Sequence, residues 1–174
     1  FEVLEVCGAL RRLMPALTDL LARRPQALNT LRLTSAASTR TEVRFTGVLY
    51  QLNKPQIEDL AKQIKLPNQH KALALATSNH QRQLRAYTEL EAAQKHLLLS
   101  NLGLMRHTEL LDDLLCLCQA ITQTQEPLFG WQSPKQTMLD DLERIHAVKP
   151  ASLMAQGFKG KALGEALKAA QIEC

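Results

Sequence analysis

In Val43-Arg44-Phe45-Thr46-Gly47-Val48-Leu49-Tyr50-Gln51-Leu52-Asn53-Lys54-Pro55, the apolar side chains Phe45, Val48, Leu49 and Leu52 recur at the i, i+3, i+4, i+7 spacing of one helical face. Asn53-Lys54-Pro55 interrupts that face. Pro55 suits the first residue of a new helix, because its φ is already near the helical value and the first N–H groups of a helix have no internal acceptor. Ile57, Leu60, Ala61 and Ile64 then form a second inward stripe. The pattern is helix, short proline-bearing break, helix.

The same grammar extends in both directions. Upstream, Val3, Val6, Cys7, Leu10 and Leu13 follow one helical stripe that Pro15 stops or kinks. Short helices are predicted from Ala16 to about Ala22, before Arg23-Arg24-Pro25, and from about Gln26 to Ala37. Downstream, Pro67 opens a helix ending near His80, and a longer one is predicted from Leu84 to Leu102 with Gly103 as its cap. Thr108 is the expected cap of a helix that keeps Leu111, Leu114, Cys118 and Ile121 on one side. Gln125 to Gln132, with Pro127 and Gly130, reads as a loop. Ser133-Pro134 signals a helix through Ile145, Pro150 starts a short one ending at Gly157, and Gly160 precedes a last helix to Ile172. No stretch alternates with period two and no fixed-period repeat appears, so the fold class is all-α, a multi-helix array.

At 174 residues the chain suits one large helical domain or two small ones. Its 45% hydrophobic and 22% charged residues are ordinary for a globular protein. No apolar run approaches the roughly eighteen residues that a bilayer span requires. The net charge of +4 permits a polyanionic partner without demanding one. Cys7, Cys116, Cys118 and Cys174 have neither disulfide nor CxxC spacing and read as reduced cytosolic thiols, three of them packing as small hydrophobes. The chain opens on Phe1-Glu2 inside an amphipathic pattern, with no starting Met and no basic leader, as expected of a piece of a longer polypeptide.

Catalytic motifs are absent. Asp112-Asp113 and Asp140-Asp141 are adjacent pairs inside helices, pointing about 100° apart, and are expected to be solvated. The seven glycines stand singly, with no phosphate-cradling loop. None of His70, His80, His96, His107 and His146 pairs with another at helical spacing, so no catalytic residue and no metal site is assigned. Trp131 is expected to pin its loop to the core rather than to stack on a base.

Three segments resemble the bacterial CCA-adding enzymes that carry an appended HD domain. Val3-Leu4-x-x-Cys7-Gly8-Ala9-Leu10 followed by Leu13-Met14-Pro15 resembles their neck helix. Val43 to Lys54 is similar to the HD-motif helix, with Tyr50 and Gln51 standing where that family has a metal-binding His-Asp pair. Asn29, in Leu28-Asn29-Thr30, occupies the position of another ligand His, and of a family Phe-His-Asp only His80 remains in Asn79-His80-Gln81. A His-rich loop expected after Lys54 is missing. Gly157-Phe158-Lys159-Gly160 followed by an amphipathic helix resembles the family's tail motif.

The resemblance implies neck-like helices over residues 1–24, a degenerate HD-like body over 25–125 and a helical tail over 126–174. Intact relatives are associated with metal-dependent phosphohydrolase activity on phosphate monoesters and 2′,3′-cyclic phosphates. A phenol and two amides at Tyr50, Gln51 and Asn29 offer neither an imidazole nor a carboxylate, so that activity is expected to be lost, with Tyr50 packed beside Phe45. For the parent enzyme the resemblance implies CCA addition to tRNA from CTP and ATP with Mg, in the cytoplasm, by an amino-terminal head missing from this chain, which needs no cofactor itself. Its helices are expected to clamp the tRNA acceptor and TΨC arms by shape and charge. Candidate contacts are Lys159 and Lys161 at the start of the last helix, then Arg82 and Arg85 with His80; Arg11-Arg12 and Arg23-Arg24 are further basic pairs, as easily surface charge. Competing readings are a fragment of a related poly(A) polymerase and a helical protein-interaction or dimerisation module.

Overall fold

A computed structural model of the chain describes residues 1–24, 26–128 and 130–173. Pro25 and Cys174 lie outside the described residues. Among the described residues every regular element is helical, in agreement with the all-α expectation. The helices divide into two compact units: Phe1–Arg82 with Asp112–Gln132, and Gln83–Leu111 with Ser133–Cys174.

The first unit begins with α1 (Glu2–Val6), α2 (Ala9–Leu13) and α3 (Pro15–Arg23). The single stripe expected through Cys7 is not formed. Gly8 adopts a left-handed φ of 71°, which splits the segment, and Val3 and Val6 are left 80% and 90% exposed with Cys7 exposed beside them. Phe1 and Leu4 pack on the core instead, and Leu10 is buried in it. Of the three thiols expected to pack as hydrophobes, only Cys118 is fully buried and Cys116 is half-buried. Pro15 sits in the first turn of α3, so it starts a helix rather than bending one.

Next come α4 (Ala27–Ala37) and α5 (Thr41–Leu49). Their approach is close enough that a Cβ on Gly47 would meet Thr34 Oγ1 at 2.5 Å. Arg44 closes the end of α4 by donating to the carbonyls of Ser38 at 2.7 Å and Ser35 at 3.4 Å. Asn53 caps α6 (Lys54–Gln63) through a reciprocal box: its Oδ1 accepts from Gln56 N–H and Gln56 Oε1 accepts from Asn53 N–H, each at 3.0 Å. Val48, Leu49, Leu52, Ile57 and Leu60 are buried together with Leu17, Leu20 and Ala74, so both stripes of the opening segment face one core. Phe45 stacks on Phe1 (centroids 6.4 Å, planes 5° apart).

Two helices run across the division, α7 (Asn68–Arg85) and α9 (Leu111–Gln125). α9 buries Leu111, Leu114, Cys118 and Ile121, as the spacing predicted. It also buries Asp113, expected in solvent: Asp113 is 7% exposed and its Oδ2 lies 2.6 Å from Arg40 Nη1.

In the second unit the predicted helix from Leu84 to Leu102 is broken. α7 ends at Arg85, a 3₁₀ turn spans Tyr87–Glu89, and α8 (Ala92–Asn101) starts afresh. The break forms because Glu91 is extended and makes a second capping box with Gln94, which satisfies N–H groups that a continuous helix would have used internally. Gly103 caps α8 at φ 70° with Leu104 N–H reaching the Leu99 carbonyl at 3.0 Å. Thr108 is not a cap; it lies in a 3₁₀ turn, and its hydroxyl donates back to the Leu104 carbonyl at 3.3 Å. Pro134, rather than Ser133, occupies the cap of α10 (Lys135–Ala147). α11 (Pro150–Ala155) ends at left-handed Gly157, and α12 (Gly160–Glu173) follows. His96 of α8 holds α12 through Gln171 Oε1 at 3.1 Å, while Gln171 Nε2 donates to the Ile145 carbonyl of α10 at 3.4 Å. Asp141, also expected in solvent, accepts from Tyr87 Oη at 2.8 Å and pairs with Arg144 at 3.1 Å and Lys95 at 3.7 Å.

Candidate nucleic-acid interface

The positions that the resemblance marks as lost metal ligands do not all come together. Tyr50 is the C-cap of α5 and is buried, its phenol 3.5 Å from Thr30 Oγ1. Thr30 donates to Thr124 Oγ1 at 3.0 Å, and Thr124 donates to the Ala120 carbonyl at 2.8 Å, so neutral hydroxyls link α4, α5 and α9. The partner of Tyr50 is therefore Thr30, while Phe45 packs on Phe1. Gln51 is half-buried beside Tyr50, in an open cleft that Thr124 and Gln125 also line. Asn29 is exposed, and its Oδ1 accepts from Arg32 at 3.4 Å.

This donor set does not suit a divalent ion. Hydroxyls and an amide carry no charge to neutralise it, and among the described residues no three His, Cys, Asp or Glu side chains are grouped to hold one. Sequence reasoning does not pair Thr30 with Thr124; 94 residues separate them, and neither has a local signature.

The basic candidates differ in setting. Lys159 and Lys161 are exposed on either side of Gly160, whose φ of 55° starts α12. Lys161 Nζ lies 3.7 Å from Glu165, an exposed pair that costs little to break. Between Gly157 and Lys159, Phe158 remains 39% exposed, and Met154 is exposed nearby in α11. An exposed ring next to lysines offers stacking beside charge, a combination that single-stranded nucleic acid uses; in the sequence this ring has no role beyond its place in the tail motif. On α7, Arg82 is exposed, whereas His80 and Arg85 are half-buried.

The Multifunctional CCA protein of Teredinibacter turnerae is 30% identical to this chain over 206 residues, covering 99% of the chain and 50% of that protein. The chain is a relative of the CCA-adding enzymes. A CCA-adding enzyme of Pseudomonas putida is 30% identical over 179 residues, covering 99% of this chain and 45% of its own length. The Multifunctional CCA protein of Aliivibrio salmonicida is 27% identical over 205 residues, 99% of this chain and 50% of that one. The chain thus spans about half the length of the curated relatives it matches. No family model matches it, and no solved structure matches it.

The alignments differ in length. Against the Teredinibacter CCA protein, 206 positions face a chain of 174 residues, so at least 32 positions have no counterpart here. Against the Pseudomonas CCA-adding enzyme the same difference, 179 less 174, is at least 5. No helix among the described residues is long and apolar enough to cross a membrane.

Proposed function

We propose that this chain is the tRNA-gripping part of a CCA-adding tRNA nucleotidyltransferase, which builds or repairs the tRNA 3′ CCA end from CTP and ATP with Mg. The match to CCA-adding enzymes over 99% of the chain but only about half of each relative carries this reading. In it, nucleotide joining belongs to an amino-terminal head outside these residues, residues 1–24 act as neck, 25–125 as a degenerate HD-like body and 126–174 as tail, and the setting is cytoplasmic. The body has lost its phosphohydrolase site at Asn29, Tyr50 and Gln51. Support comes from the neutral donors around Tyr50, two amides and a phenol where the resemblance expects charged or imidazole ligands.

The helices clamp the acceptor and TΨC arms through phosphates and the shallow minor groove. Lys159 and Lys161, with Phe158 exposed between Gly157 and Lys159, form the first contact region, and Arg82 the second; Arg85 and His80, half-buried, shape the helix that presents it. Binding of tRNA transcripts across a salt series tests this. Affinity is expected to fall steeply with salt, and Lys159→Ala with Lys161→Ala to reduce the slope by about two, roughly one for each phosphate that a lysine no longer neutralises. Indifference to tRNA at low ionic strength overturns the reading.

A protein-interaction module is the second reading, favoured by the exposure of Val3 and Val6 on α1. Self-association that is insensitive to salt and weakened by Val6→Lys would favour it.

A further inference from the structure

In the second unit, α8, α10 and α12 border a cleft of about 290 Å³. Its apolar lining includes Leu99 of α8, Ile145 of α10 and Ile172 of α12, of which Leu99 and Ile145 are buried. Lys95, Asp141 and Arg144 line the same cleft. The Asp141 carboxylate holds both cations: Oδ1 lies 3.1 Å from Arg144 Nη2, while Oδ2 lies 3.7 Å from Lys95 Nζ and accepts from Tyr87 Oη at 2.8 Å. Two positive charges therefore share one negative charge. The Lys95 side chain is 23% exposed, yet 3.7 Å is too long for a hydrogen bond, and among the described residues its ammonium donates none. Lys95 Nζ also lies over the Tyr87 ring, 5.3 Å from the centroid. His96 and Gln171, further along the lining, are engaged with each other at 3.1 Å.

We propose that this cleft binds a small organic monocarboxylate, with its apolar body on Leu99, Ile145 and Ile172 and its carboxylate at Lys95 and Arg144. Charge selects the head group. Asp141 offsets one of the two cations, so one positive charge is left; a carboxylate balances it, whereas a phosphate dianion would put excess negative charge beside Asp141. The ammonium donors of Lys95 and the guanidinium N–H groups that Arg144 does not spend on Asp141 are the donors that a carboxylate accepts. The apolar lining selects the body. A sugar would lay hydroxyls against Leu99, Ile145 and Ile172, which offer them no side-chain partner. A volume near the lower end of ordinary ligand pockets suits a short acid better than a nucleotide. Glu173, exposed among the lining residues, gives an α-ammonium group a partner, so the acid is a plain carboxylate or an α-amino acid. The seat uses none of the residues assigned to tRNA contact.

The test titrates the full chain at neutral pH with isocaproate, its uncharged amide, leucine and adenosine 5′-monophosphate, while methyl NMR follows Leu99, Ile145 and Ile172. Saturable shifts with isocaproate in the millimolar range are expected, with the amide about tenfold weaker. Lys95→Met keeps the stem and removes the charge, and should weaken isocaproate about ten- to a hundredfold, the range for losing a hydrogen bond to a charged group. Arg144→Gln, at a side chain 55% exposed, should weaken it too without loss of the fold. Asp141→Asn keeps an acceptor for Tyr87 and removes the competing charge, so it should tighten binding by about fivefold, a change that loosened packing would not produce. Leucine binding tighter than isocaproate assigns its ammonium to Glu173, and weaker or equal binding makes the plain acid the ligand; either supports the proposal. No saturation, equal affinity for the amide, tighter binding of the mononucleotide, weaker binding by folded Asp141→Asn, or isocaproate binding unchanged in both Lys95→Met and Arg144→Gln would overturn it.

Discussion

The hydroxyl of Thr34 fills the space in which Gly47 would carry a Cβ, at 2.5 Å from that position, with Thr34 Cγ2 at 3.2 Å and Leu31 Cα at 3.3 Å. Thr34 cannot turn aside cheaply, because its Oγ1 donates within its own helix toward the Thr30 and Leu31 carbonyls, both at 3.0 Å. Gly47→Ala should therefore destabilise the protein by about 1–3 kcal/mol through overpacking, even though alanine is intrinsically the better helix former by about 1 kcal/mol. Adding Thr34→Ala removes both nearest atoms and should recover part of the loss. A double-mutant cycle in urea checks this, and additive effects would refute the clash.

Asp113 offers a pH test. Burial pushes its carboxyl above the usual range, Arg40 opposes that rise, and Glu42 and Asp112 add to it. The folded chain then holds the proton more tightly than the unfolded chain. This contribution to stability is full below the unfolded carboxyl value of about 3.9 and is lost as pH rises through the folded one. Asp113→Asn should raise the melting temperature by a few degrees at neutral pH, with the gain shrinking as the pH is lowered. Arg40 tolerates the change because it is 45% exposed and keeps Glu42 at 2.7 Å. A variant less stable than wild type at neutral pH would show that the ion pair outweighs the burial.

Tyr87 is buried, and burial together with its hydrogen bond to Asp141 pushes the phenol well above its ordinary range, which holds it in the protonated, donating form. Tyr87→Phe should cost about 1.5–3 kcal/mol, the range for a hydrogen bond to a charged group. The lower half is expected, since Lys95 and Arg144 still pair with Asp141. Equilibrium unfolding measures it, and a neutral substitution would remove Tyr87 as an anchor of the second unit.

Lys65 follows α6 with φ at 52°, the one non-glycine residue in the left-handed region among those described, while Leu66 N–H reaches the Ala61 carbonyl at 2.9 Å. Lys65→Gly should stabilise by up to about 1 kcal/mol, because glycine adopts this conformation without the Cβ penalty. Thermal unfolding would show a raised midpoint; a lowered one would mean that glycine's greater freedom in the unfolded chain outweighs the strain.

Local patterns carried the helices whose signals are themselves local. The stripe Phe45, Val48, Leu49 and Leu52, the proline start at Pro55 and the glycine stop at Gly103 each depend on atoms a few residues apart, and each appears in the structure, with α6 beginning at Lys54, one residue before the expected Pro55. Structure and expectation part where a local pattern admits two outcomes. Val3, Val6 and Cys7 keep helical spacing on either one, but left-handed Gly8 turns them to solvent. Leu84 to Leu102 is periodic throughout, yet the Glu91–Gln94 box starts a new helix inside it. The Asn53–Gln56 box has a legible spacing too, although Pro55 alone served as the start signal for α6.

The order of residues alone accounts for the all-α class, the relationship to CCA-adding enzymes and the neutral chemistry of Asn29, Tyr50 and Gln51, because side-chain type and helical period are properties of short segments. Packing decided that Thr30 meets Thr124 across 94 residues, that Asp113 is buried against Arg40 and that Arg24 shares a cleft with Gln51. Those pairings depend on how distant helices fill one core, a collective balance of volume and burial that no single segment encodes.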